Sequence, residues 1–170
     1  MITRIKALFF VVSFLAATFT FGSAGPAVAQ ENPPPQPVDL PCATNVSAQV
    51  LGSTLVNDDT QALIQARIVF GPGGKLDLHT HPGSLIVTVE SGQLGFTHQG
   101  DGDMTVNRAV TGADAAIVDP LSHGELVEIN PGDWFIETGM THTAENLAAG
   151  ETTVLLTGLL EPGVPLVICV

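Results

Sequence analysis

Beyond residue 29, no stretch of this chain sustains the 3.6-residue apolar period of a helix, and none repeats internally. Its apolar side chains come instead in short runs of Val, Ile and Leu, broken by Gly, Asn, Asp or Pro. β-Branched residues suit a pleated, half-buried surface and the breakers supply turns, so the pattern predicts an all-β domain. The clearest expected strands are 62–70, 75–80, 85–90, 93–98, 125–129, 134–137 and 152–160. Residues 99–123, rich in Gly and Asp, read as a long loop with one edge strand at 115–118. Ser91-Gly92 reads as a two-residue hairpin turn, which sets Glu90 against Gln93 and Leu85 against His98. Tyr is absent, so the expected core is aliphatic, with Phe70, Phe96, Trp134 and Phe135 as its aromatics.

The start of the chain follows a different logic. Arg4 and Lys6 precede an uncharged apolar run over 7–21, and Ala27-Val28-Ala29 is a small-x-small cleavage signature. This is the pattern of a secretory signal peptide over 1–29, and the apolar run is short for a membrane span. The expectation is a secreted or periplasmic protein with no stable membrane anchor after cleavage. Residues 31–41 carry five prolines, so 30–41 reads as an extended linker before a domain over 42–170. Past the leader, only Arg67, Lys75 and Arg108 oppose 17 acidic residues. A surface so acidic repels phosphate backbones and anionic lipid, which argues against nucleic acid as a partner. The chain has two cysteines, Cys42 and Cys169. In an oxidising compartment a lone pair of thiols in a small exported domain is expected to form a disulfide.

Three histidines carry the chemistry. His79 and His81 flank Thr80, and residues two apart on a strand project to one face. His142 lies far downstream. Imidazole is the commonest protein ligand for transition metals, yet an isolated H-x-H is weak testimony for a site. Its surroundings add weight. Residues 73–92, GGKLDLHTHPGSLIVTVESG, resemble the first cupin motif, G-x5-H-x-H-x3,4-E-x6-G, with Gly73, His79, His81 and Gly92 in place. Residues 132–146, GDWFIETGMTHTAEN, are similar to the second, G-x5-P-x-G-x2-H-x3-N, through Gly132, Gly139, His142 and Asn146.

The resemblance implies an antiparallel cupin β-barrel, or jelly roll, with a divalent metal cation (Fe, Mn, Zn or Ni) inside on His79, His81 and His142. It departs from the pattern at three points, the first being that the second motif is one residue short between Gly132 and Gly139. Leu85 stands where the family places a metal-binding Glu, and Glu137 replaces the usual proline. A standard three-His, one-Glu site is therefore not expected. The expected three-His set resembles that of cupin dioxygenases acting on thiols or diketones. The Ser91-Gly92 register makes His98 a candidate fourth ligand, its alternative being a solvated residue at a hairpin end. His123 reads as a loop residue, and Asp101-Gly102-Asp103 as a turn. Glu137 and Glu145 are candidates to orient an imidazole, with Glu145 expected to face solvent. Strand parity places Leu85, Val87 and Val89 inside and Leu76 outside, a lining suited to a small, partly apolar ligand or substrate.

Two functional readings stay open. One is a metal-dependent, dioxygenase-like oxidoreductase acting on a small molecule. The other is a non-enzymatic cupin that binds a metal or small ligand. A homodimer is a family-level expectation.

Overall fold

The computed structural model describes residues 34–99, 104–109 and 117–170. The expected leader, the first residues of the proline-rich segment and Asp101-Gly102-Asp103 lie outside them. Among the described residues there are twelve strands: β1 Gln36–Val38, β2 Ala43–Val56, β3 Gln61–Thr80, β4 Gly83–Ser91, β5 Leu94–His98, β6 Met104–Arg108, β7 Ile117–Leu121, β8 Leu126–Ile129, β9 Trp134–Thr138, β10 His142–Asn146, β11 Thr152–Leu160 and β12 Ile168–Cys169. Every pairing is antiparallel, in the order β7-β6-β9-β4-β11-β3-β10-β5-β8, with β2 and β12 added along β3 and β1 paired to β2. The sheet curls into a nearly closed barrel, the expected all-β class. Side chains alternate across it: Leu85, Val87 and Val89 of β4 are buried while Ile86 between them is 45 % exposed.

Several expectations need correction. Two predicted strands, 62–70 and 75–80, are one strand, β3, bent at its Gly71–Gly74 segment. Added Cβ atoms at Gly71 and Gly74 would lie 2.4 Å and 2.6 Å from atoms of Asn45, which explains why glycine occupies the bend. Ser91-Gly92 is not a hairpin turn. β4 pairs with β9 and β11, whereas β5 pairs with β10 and β8, so these residues form a corner between strands that are not neighbours. A short Gly link serves either purpose, and alternation within each strand is the same in both. The 99–123 segment holds two strands, β6 and β7, paired with each other, and β6 also pairs with β9. The proline-rich segment is structured at its end, where β1 pairs with β2 and Leu40 is buried. Trp134 leaves the core because Phe135, its neighbour on β9, takes the inward position.

Leu76 is buried rather than outward. Across β3 and β10, His142 faces His79 while Ala144 faces Leu76, so two steps on β10 match three on β3. This bulge at residues 77–78 reverses the parity of β3, allowing Leu76 and His79 both to point inward.

The β8–β9 turn, Asn130-Pro131-Gly132-Asp133, sets the phase of β9. Gly132 adopts φ 88°, and Asp133 N–H donates to Asn130 O at 3.0 Å, as in a Pro-Gly turn of the second type. The buried Asp133 carboxylate accepts from Ala109 N (2.7 Å), Asn130 N (3.0 Å) and Arg108 Nη1 (2.8 Å). Burial would raise its pKa, but these bonds and the guanidinium charge hold it below the ordinary value. The expected Cys42–Cys169 disulfide is present, with Cα atoms 6.0 Å apart.

Candidate metal centre

Three strand ends bring the histidines together. His79 lies near the end of β3, His81 follows in the link to β4, and His142 opens β10 directly across from His79. Ring centroids are 4.2 Å apart for His79 and His142, 5.1 Å for His79 and His81, and 5.3 Å for His81 and His142. One ring nitrogen from each falls within 4.8 Å of the other two, and all three residues are buried. Phe96 stacks on His142 at 4.7 Å and fixes that ring's plane.

The outer nitrogens determine the tautomers. His79 Nδ1 lies 2.8 Å from Asp77 O, and His81 Nδ1 lies 2.6 Å from Leu166 O. A carbonyl only accepts, so both Nδ1 atoms carry the proton and both Nε2 atoms offer a lone pair. Metal-binding histidines are prepared in the same way, their second nitrogen bonded to a carbonyl or carboxylate.

Glu137 completes the cluster. β9 pairs with β4 in a register that sets Glu137 against Leu85, and the side chain points inward beside Phe135. Its Oε1 is 3.2 Å from His81 Nε2 and its Oε2 is 3.4 Å from His142 Nε2. Oε2 is buried and has no hydrogen-bond partner among the described residues. Burial pushes the Glu137 carboxyl up to about 8. Burial also lowers His81 to about 4, with the Leu166 carbonyl opposing the shift and His79 adding to it. His79 is lowered by burial, and His142 is pulled well below its usual range by burial and then by His79 and His81. Burial thus favours neutral imidazoles and a neutral carboxyl, a cluster rich in lone pairs and poor in charge. That donor set, with an orphaned carboxyl oxygen, is compatible with a divalent first-row ion.

The other candidates fall elsewhere. His98 is fully buried on β5 and lies across from His142, not Leu85; it is outside the three-histidine cluster. His123 is exposed, its Nε2 3.1 Å from Gln99 O. Glu145 faces outward as expected. Reasoning from the sequence left Glu137 beside Glu145 as an undecided imidazole partner. Its signal was parity, because in Trp134-Phe135-Ile136-Glu137 the apolar inward position at Phe135 places Glu137 inward too.

Asn146 proves to be structural. Its Nδ2 donates to Gly71 O (2.8 Å) and Gly150 O (2.6 Å), and its Oδ1 accepts from Ala148 N (2.8 Å) and Thr152 Oγ1 (2.6 Å). Fully buried Thr152 accepts in turn from Gln93 N at 3.0 Å. One amide side chain therefore ties the bend of β3 and the β10–β11 turn to β11, and through Thr152 to the residue before β5.

Both motif-like segments lie in an antiparallel barrel, and their histidines meet inside it. The fold is a cupin-like barrel. No family model and no curated protein matches the sequence. Solved structures similar to the chain include the polyketide cyclase RemF from Streptomyces resistomycificus, 16 % identical, covering 80 % of this chain and 78 % of its own, TM-score 0.43. A cupin superfamily protein from Desulfitobacterium hafniense is 12 % identical over 68 % of this chain and 78 % of its own, TM-score 0.43. Oxalate decarboxylase from Bacillus subtilis is 17 % identical over 74 % of this chain, TM-score 0.45, and this chain spans only 28 % of that one. At such identities and TM-scores the likeness carries no argument about what this chain does. Within the barrel, the cavity beside the histidines and Glu137 measures about 30 Å³ and is otherwise lined by apolar side chains such as Phe70, Val87 and Leu156. That is room for an ion and about one water.

Proposed function

We propose that this cupin holds one divalent first-row metal ion on His79, His81 and His142. The observation that carries the reading is the convergence of three buried imidazoles, two of them locked by backbone carbonyls with Nε2 turned inward. Fe, Mn, Zn and Ni all suit such donors. When bound, the ion would supply Lewis acidity and, if redox-active, an electron source for dioxygen. The chain's own residues orient the imidazoles and exclude bulk water through Phe96, Phe135 and Val87. On this basis the enzymatic reading is a metal-dependent, dioxygenase-like oxidoreductase acting on a small, partly apolar substrate.

The cavity of about 30 Å³ favours a second reading, a non-enzymatic cupin binding a metal or small ligand, since an organic substrate does not fit without movement. We further propose that the protein is exported after cleavage behind Ala29, that nucleic acid is not a partner, and that homodimers form. The Cys42–Cys169 bond supports an oxidising location. Elemental analysis of protein purified without added metal should find about one divalent ion per chain, and His79→Ala, His81→Ala or His142→Ala should each cut occupancy sharply. Unchanged stoichiometry in His142→Ala discards the site. Oxygen uptake by the iron-loaded protein with small thiols or diketones, abolished in His142→Ala, separates the enzyme from the binding protein.

A further inference from the structure

We propose that Glu137 is the fourth protein ligand of the ion, its carboxylate reaching the centre from β9. This rests on the three-histidine reading and adds an anionic oxygen to it. Donors held about 2.0–2.2 Å from one ion lie about 2.8–3.6 Å from each other at octahedral or tetrahedral angles. The Glu137 oxygens stand 3.2 Å from His81 Nε2 and 3.4 Å from His142 Nε2, the edge lengths of one coordination shell. His81 Nδ1–H donates to the Leu166 carbonyl, so His81 Nε2 and Glu137 Oε1 face each other with lone pairs, and such a pair holds together only around a shared cation or proton.

Oε2 adds independent weight. It is buried and without a hydrogen-bond partner among the described residues, an expensive condition for a carboxyl oxygen that no other neighbour relieves. The backbone explains why this residue can act. Leu85, on β4, is an aliphatic residue directly across from Glu137, and Phe135 and Glu137 share the inward face of β9. Three neutral nitrogens with one carboxylate suit Fe(II), Mn(II), Ni(II) or Zn(II), and disfavour Cu(I), which prefers sulfur.

The test uses the full chain, stripped of metal and titrated with Co(II) and Zn(II) as probes. Affinity is read by chelator competition, and ligand identity by the visible Co(II) spectrum. Wild type and Glu137→Gln should each bind one ion. Glu137→Gln should bind at least tenfold more weakly, with an altered Co(II) spectrum, since an amide of the same shape replaces the anionic donor. Glu137→Leu should be weaker still. Combining Glu137→Leu with Leu85→Glu, which moves the carboxylate to the facing strand, should recover affinity and the wild-type spectrum. A Co(II) spectrum in Glu137→Gln identical to wild type overturns the proposal while leaving the three-histidine site standing. Failure of the double variant to improve on Glu137→Leu also counts against it. Absence of stoichiometric binding by the wild type instead removes the underlying site.

Discussion

Asn146→Ala deletes one side chain with five hydrogen bonds, the longest of them from Nδ2 to Phe70 O at 3.2 Å, and the structure indicates what the losses cost. Gly150 is exposed, so its carbonyl rehydrates; Gly71 and Ala148 are half-buried and rehydrate in part. Thr152 cannot reach water, but its hydroxyl can turn to Gln93 O at 3.1 Å. With a net value near 1 kcal/mol per bond, and a partial penalty for groups left dry, the expected loss is about 2–4 kcal/mol. Asn146→Asp probes the same geometry differently. It keeps the acceptor for Ala148 and Thr152 but points a buried negative charge at three carbonyls formerly 3.2 Å, 2.8 Å and 2.6 Å from an amide donor. It should be at least as unstable as Asn146→Ala near neutral pH, and recover as acid protonates the new carboxyl. Urea unfolding followed by circular dichroism, at neutral and acidic pH, reads both effects. Metal stoichiometry should be unchanged in both variants, because Asn146 has no part in the donor cluster. An Asn146→Ala loss below about 0.5 kcal/mol, or an Asn146→Asp stability equal to wild type, refutes this account.

Two further outcomes follow. Reducing Cys42–Cys169, or replacing both residues by Ser, releases a closure across 127 residues and should lower stability by roughly 4–5 kcal/mol on chain-entropy grounds; an unchanged urea midpoint with reductant counts against it. Asp133 has a folded pKa below its ordinary value of 3.8, so its stabilisation is whole above that pH and fades as pH falls through the lower folded value. Stability of wild type minus Asp133→Asn should therefore be positive near neutrality and shrink below about pH 4, measured by urea unfolding across pH; a difference that grows in acid contradicts the bonding seen at the β8–β9 turn.

What could be read from the amino acids was whatever depended on local alternation. β4, β9 and β11 carry clean inward–outward patterns, and all three were anticipated. β2 was missed because it covers β3 with mostly exposed or half-exposed side chains, so burial imposes little apolar pattern on it. β10 was missed for another reason, since His142-Thr143-Ala144-Glu145-Asn146 buries polar groups for purposes other than packing. Pairing was beyond local information. Nothing in Ser91-Gly92 distinguishes a hairpin from a corner, and that single choice misplaced His98 opposite Leu85. The bulge between Leu76 and His79 is equally silent, since it is defined by the count of residues on β10. The three histidines were legible through their motif spacing. Glu137's place among them depended on β9 lying beside β4, a long-range pairing.

The two ends of the disulfide lie on one edge of one strand. Along β3, Thr80 and His79 are paired with Ile168 and Cys169, Leu78 O accepts from Val170 N, Asp77 N donates to Cys42 O, and Leu76 and Lys75 pair with Ala43 and Thr44. Residues 168–170 and 42–44 therefore run as a single ladder with a nick in its backbone, and the sulfur bridge is the ligature across that nick. The backbone from 42 to 169 is thereby a closed ring, and position within it is a matter of where counting starts. A protease that cuts once, at the exposed turn Asn57-Asp58-Asp59 where all three residues sit at positive φ, opens the ring without dividing it. The product is a permuted barrel, still one covalent molecule, with its histidine-bearing strand flanked as before.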